Sequence, residues 1–184
     1  MAESVALHPP LSVEKYLELE RDSLIRHEFV RGQLYAMTGT TKRHNLIVGN
    51  IWAALREAAR GTPCRVYSEN VKVRTPEDTV YYPDVMVACE PDSDDPYVER
   101  EPCLIVEVIS PTTESADRRE KLAAYSKIST LQAYLIVDQN SPKVQLHLMG
   151  EDGQWLQADF IGDGVIPVPC PRTELTLATI YEGL

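Results

Sequence analysis

The chain has 184 residues, 43% hydrophobic and 25% charged, and its 28 acidic and 18 basic side chains give a net charge of −10. That length and composition exclude a largely disordered polymer and suit one domain with a sizeable core. The acidic balance excludes a protein that coats nucleic acid nonspecifically, because such binding rests on Lys and Arg against phosphate, though not an enzyme that meets nucleic acid through a local patch or divalent cations. No apolar run approaches the roughly 20 residues that span a bilayer. The N-terminal MAESVALHPP lacks the basic and apolar regions of a signal peptide, so a cytoplasmic protein without membrane association is expected. The four cysteines, Cys64, Cys89, Cys103 and Cys170, are widely spaced with no CxxC pair. That spacing argues against a zinc site and for buried free thiols in a reducing compartment.

Residues 1–11 read as an N-terminal arm and 12–184 as a single domain. In SVEKYLELERD, Val13, Tyr16, Leu17 and Glu20 recur at helical spacing behind Ser12 as N-cap. RHEFVRGQLYAM reads as a hairpin around Arg31-Gly32. The longest predicted helix is TKRHNLIVGNIWAALREAARG, with Leu46, Ile47, Asn50, Ile51, Ala54, Leu55 and Ala58 in period and Gly61 as its stop. CRVYSE and VKVRT follow as short strands, and TVYYPDVMVACE as a strand more buried after Pro83. PDSDDPYVERE is a polar loop and CLIVEVIS the best central strand. TTESADRREKLAAYSKIS then predicts a helix with Leu122, Ala123, Tyr125 and Ser126 near its inner side. AYLIVDQ, KVQLHLMG and WLQADFIG are strands, and LTLATIY suits either a strand or a short helix. This order predicts an α/β or α+β domain with a mixed central sheet.

CLIVEVIS carries a chemical signal. Alternation along a strand puts Leu104, Val106 and Val108 on one face and Ile105, Glu107 and Ile109 on the other. An unpaired carboxylate among isoleucines costs several kcal/mol or takes up a proton. If this strand pairs with YYPDVMVA, Asp84 converges on Glu107, and two close carboxylates call for a proton or a cation between them. Oxygen-only ligands suit Mg²⁺ or Mn²⁺. On the next helix Asp117, Lys121 and Tyr125 follow one another every fourth residue and line one face. A lysine there could hold an attacking water or offset charge on a phosphorane-like transition state.

The run from YYPDVMVA through PCLIVEVISPTTESADRREKLAAYSKISTLQAYLIVD resembles the Uma2 family, as do RHEFVRGQLYAM and KRHNLIVGNIWAALR. The family is assigned to the PD-(D/E)XK nucleases, so the resemblance implies a restriction-endonuclease-like mixed sheet flanked by helices. It matches Asp84 to the motif aspartate and Glu107 to its acidic partner. Two positions beyond Glu107, where the motif places lysine, stands Ile109. The resemblance moves that role to the following helix, at Lys121. It matches Glu28 to an early glutamate that adds a metal or water ligand, and His44 to the family histidine; Asp117 and Tyr125, from their place on the Lys121 face, are expected as supporting residues. The expected function is a Mg²⁺- or Mn²⁺-dependent endonuclease acting on DNA as a homodimer. The alternative is a non-catalytic module that keeps the nuclease fold and assembles as a homodimer.

Overall fold

The computed structural model describes residues 11–91, 95–109 and 116–184, with the backbone alone for 116–118; the expected arm up to residue 10 lies outside these residues. Helix α1 (Val13–Arg21) starts where Ser12 Oγ accepts a hydrogen bond from Lys15 N, as its N-cap chemistry predicts. Its inner face is fastened by polar bonds as well as by packing. Tyr16 stacks on Phe29 at 5.0 Å and donates to the His27 carbonyl at 2.6 Å. Buried Glu20 accepts from His27 N at 2.7 Å and from the Tyr82 hydroxyl at 2.9 Å. Strands β1 (His27–Val30) and β2 (Gln33–Ala36) form the expected hairpin, with Arg31 and Gly32 both at positive φ (51° and 82°), the twist that tight two-residue turns require.

Helix α2 (Lys42–Ala58) is capped by Thr41 and buries Ile47, Ile51 and Leu55. Leu46, counted with them from spacing, points outward and is 47% exposed. The run TVYYPDVMVACE does not make one strand. Pro83 lacks the N–H that a ladder needs, and the chain divides there into β5 (Val80–Tyr81) and β6 (Val85–Ala88), which enter different sheets.

With β3 (Arg65–Ser68), β4 (Lys72–Arg74) and β7 (Val98–Glu99), the sheet orders begin to emerge; β7 was expected as loop. The smaller sheet runs β2-β1-β5-β4-β7. The larger adds β8 (Leu104–Ile109), β9 (Ala133–Asp138), β10 (Lys143–Met149) and β11 (Trp155–Ile161), in the order β11-β10-β9-β8-β6-β3. It is mixed: β8 and β9 are parallel, joined through α3 (Ala116–Tyr125), whereas β6 and β8 are antiparallel. Strands β12 (Val165–Pro169) and β13 (Arg172–Thr176) form a separate hairpin. The ambiguous last segment is both things in turn: Leu175 and Thr176 end β13, and Thr176 caps the short helix α4 (Leu177–Ile180). This is the expected α+β architecture.

The strand β8 separates two hydrophobic clusters as its alternation predicts. Leu104, Val106 and Val108 pack with α2, whereas Ile105 packs with Tyr125, Ile128, Tyr134 and Ile136. The inner face of α3 is rotated from the expected one: Lys121, Ala124 and Tyr125 are buried, while Ala123 is exposed.

The expectation of free, scattered thiols is overturned. The ladder pairing Arg65 with Ala88 brings Cys64 opposite Cys89, Cys103 leads into the neighbouring β8, and Cys170 arrives from the turn after β12. Cys64 is disulfide-bonded to Cys89 and Cys103 to Cys170. Separations of 25 and 67 residues hid a proximity that only strand register creates.

Because Leu135 is fully buried in the cluster beneath α2, Leu135→Ala is expected to cost about 2–5 kcal/mol. The measurement is the urea unfolding midpoint, against which Leu46→Ala on the exposed side of α2 should move stability by no more than about 0.5 kcal/mol.

Candidate active site

The antiparallel register of β6 and β8 pairs Val85 with Val106. Continued by one residue it sets Asp84 against Glu107, which is the convergence expected from the sequence. Asp84 stands at the break created by Pro83, where the chain passes from the smaller sheet to the larger. Its Oδ2 accepts hydrogen bonds from Val108 N at 2.7 Å and from His44 Nε2 at 3.2 Å. His44 occupies the first turn of α2, placed there by the Thr41 cap, whose hydroxyl accepts from His44 N. Its Nδ1 is buried and has no hydrogen-bond partner among the described residues.

Glu107 is only 6% exposed. What waits for it is Lys121, whose Nζ lies 3.3 Å from Glu107 Oε1 and 2.9 Å from Glu28 Oε1. The Tyr125 hydroxyl donates to the same Glu107 Oε1 at 2.8 Å. One lysine thus joins a glutamate of the hairpin to a glutamate of the central strand. Tyr81 adds its ring 5.3 Å from Lys121 Nζ and packs edge-on to Tyr125 at 5.3 Å. Tyr81 was missed from sequence; it ends β5, and both it and Tyr82 are buried.

Glu28, His44, Asp84, Glu107, Lys121 and Tyr125 are therefore gathered as two hydrogen-bonded groups around the start of β6 and the middle of β8. Asp117 lies one turn before Lys121 on α3, and its side chain is outside the described residues. Ile109, in the position of the motif lysine, packs against the second hydrophobic cluster.

Burial dominates the electrostatics. Desolvation pushes the Glu107 carboxyl up to about 8; the Lys121 charge opposes this, the Asp84 and Glu28 charges reinforce it, and the Tyr125 hydrogen bond again opposes it. For His44, desolvation pulls the imidazole down, but the Asp84 hydrogen bond and charge, with smaller contributions from Glu69 and the Val108 backbone, outweigh it and leave the ring above its ordinary value. Burial also drives the Tyr125 phenol well up, which keeps it a hydrogen-bond donor.

The donor chemistry is that of hard oxygen ligands, although the ligand atoms of Asp84, Glu107 and Glu28 do not all lie within 4.8 Å of one another. Each of the three carboxylates has one oxygen anchored by protein donors: Asp84 Oδ2, Glu107 Oε1 and Glu28 Oε1. Among the described residues, the second oxygen of each accepts no hydrogen bond, leaving hard oxygen ligands of the kind Mg²⁺ and Mn²⁺ take. Beside them Glu28, Val30, Tyr35, Tyr81 and Glu120 line an open groove.

Comparison with known proteins places this geometry in context. The sequence profile of Uma2, described as "Putative restriction endonuclease", matches residues 13–179. The uncharacterised protein slr1290 of Synechocystis is 33% identical over 178 residues, covering 96% of this chain and 94% of its own. A second uncharacterised Synechocystis protein, sll1609, is 29% identical over 163 residues, with 86% and 92% covered. The crystal structure of a putative nuclease belonging to DUF820 from Anabaena variabilis superposes with a TM-score of 0.76 at 17% identity, covering 94% of this chain and 98% of that one, a likeness of fold. No helix among the described residues is long and apolar enough to cross a membrane.

The raised Glu107 value has a signed consequence. The folded protein holds this proton more tightly than the unfolded chain. The stability it contributes is whole below about pH 4.5, falls as pH rises and is lost above about pH 8. Glu107→Gln removes this slope. Chemical denaturation from pH 4.5 to pH 8 should show the two proteins close in stability at the acid end, with the wild type losing ground steadily toward the alkaline end. A parallel pair of curves would contradict the burial of a titrating carboxylate at this position.

Proposed function

The chain belongs to the Uma2 family, and on that premise we propose that it is a metal-dependent endonuclease that hydrolyses phosphodiester bonds in DNA. The observation that carries the reading is the reach of Lys121 from α3 to Glu107 and Glu28. A lysine thereby reaches the carboxylate site although the strand position two beyond Glu107 is Ile109. Asp84 and Glu107 would hold Mg²⁺ or Mn²⁺, with Glu28 as a further ligand.

When bound, the ion supplies Lewis acidity, lowering the pKa of a water and offsetting phosphate charge. The chain's own groups do the rest. His44 and Val108 N hold Asp84 in one orientation, and Tyr125 does the same for Glu107. Supporting bonds of this kind are worth about 10–100-fold in metal affinity. Lys121 has an ammonium poised between two carboxylates. It can turn one N–H toward the phosphate oxygen on which negative charge develops, a contact stronger in the transition state than in the ground state. Two chains would present two such sites to the two strands of a duplex. The edge strand β11, with Leu156 and Ile161 exposed, is the surface we assign to that homodimer.

One observation favours a second reading. Lys121 is already bonded to both Glu107 and Glu28, and a self-contained network of this kind suits a non-catalytic module that keeps the fold and the dimer.

Purified protein incubated with supercoiled plasmid and Mg²⁺ or Mn²⁺ separates the two. The nuclease reading expects metal-dependent nicking, lost in Asp84→Ala and Glu107→Gln and lowered about 10²-fold or more in Lys121→Ala. His44→Ala should weaken Mn²⁺ binding about 10–100-fold, read by calorimetry. Wild type that neither nicks nor binds Mn²⁺ leaves the assembly-module reading standing.

A further inference from the structure

The nuclease reading leaves the cysteines unused. All four that the chain possesses meet at one end of the larger sheet. They come from four separate segments: the approach to β3, the end of β6, the start of β8 and the β12–β13 turn. The two pairs are not independent staples. Cys89 Sγ lies 3.2 Å from Cys170 Sγ and 3.6 Å from Cys103 Sγ, across the pairing. Cys64, Cys89 and Cys170 place their sulphurs within 4.8 Å of one another.

Four thiolates around one ion must approach one another. Zinc–sulphur bonds of about 2.3 Å in a tetrahedron set neighbouring sulphurs about 3.8 Å apart, close to the distances across the pairs. An all-sulphur donor set is soft and selects Zn²⁺ over the hard cations suited to the carboxylates, and sulphurs this close leave no room for a multi-iron cluster. The site is also built into the fold. Cys103 and Cys170 are 4% and 5% exposed and belong to the main core, while Cys64 and Cys89 are half-buried and open to an adjoining cavity. Arg172 lines that cavity, a cation beside what would be a doubly negative centre.

We propose that in the reduced chain Cys64, Cys89, Cys103 and Cys170, joined here as two disulfides, instead ligate a single structural Zn²⁺, separate from the carboxylate site. The thiols of a newly made chain reach this state without a redox step: each sulphur gives up its proton as it binds, and the ion fills the tetrahedron. The bound ion ties β3, β6 and β8 to the β12–β13 hairpin. The inference is independent of nuclease activity.

The test uses the full wild-type chain, purified without chelator after thiols are trapped with an alkylating agent at lysis. Elemental analysis should find about one zinc per chain, and thiol titration should find all four cysteines shielded until the zinc is stripped. Adding Co²⁺ to the metal-free, reduced protein should produce the visible bands of a tetrahedral cobalt thiolate. Cys89→Ser should lose the zinc and Glu107→Gln should keep it. Metal-free protein carrying two disulfides by peptide mapping, four freely alkylated thiols without zinc, or no cobalt–thiolate spectrum would each overturn the proposal. So would zinc that survives in Cys89→Ser but leaves with Glu107→Gln. The cobalt measurement needs no variant, so a misfolded Cys89→Ser protein does not decide the matter.

Discussion

A carboxylate buried in the most apolar strand of the chain is the constraint around which the rest is arranged. Glu107 cannot stand alone on β8, since an isolated charge at that depth costs roughly several kcal/mol. Lys121 and Tyr125 answer it from α3, which reaches them because the parallel β8–α3–β9 crossover folds the helix back over the strand that carries the glutamate. Lys121 in turn draws in Glu28 from the hairpin. The smaller sheet is thus tied to the larger through one ammonium, and the geometry of the candidate site is a property of both sheets together.

The break at Pro83 has a similar double role. It ends β5, starts β6 in another sheet and leaves Asp84 at the crossing, where His44 and a backbone N–H of β8 hold one of its oxygens. A proline that removes a ladder donor is a local defect for the strand. Here it frees the next residue from the ladder to serve the site. The same principle of one anchored oxygen and one left over applies to Asp84, Glu107 and Glu28, which makes the carboxylates rigid before any ligand arrives.

Much of this was legible in the residues. Alternation along CLIVEVIS correctly separated the two faces of β8, and the four-residue spacing of Lys121 and Tyr125 put both on the side of α3 that meets Glu107. The Ser12 cap and the Arg31-Gly32 turn also followed from local chemistry. What failed depended on information that local pattern does not carry. TVYYPDVMVACE looked continuous because both halves are apolar, and only the change of sheet shows that Pro83 divides it. Leu46 and Ala123 fit a helical period, but period alone does not say where the buried stripe is centred. The cysteines were misread because their meeting depends on the register of β3 with β6, a long-range relation invisible to spacing rules built for CxxC motifs.

The β6–β8 ladder carries one further meaning. Asp84 and Cys89 flank β6, while Cys103 and Glu107 lie at the start and toward the far end of β8. The carboxylates and the sulphurs are therefore opposite ends of the same short ruler, about 13 Å apart along β8 and about 17 Å along β6 at the usual rise of a strand. A slip of one residue between β6 and β8 would turn Glu107 to the other face, and it would also pull Cys103 out of line with its neighbours. Whatever fastens the sulphurs consequently acts as a register lock for the carboxylates. The chemistry at one end of the sheet is kept true by the covalent or coordinate bonds at the other.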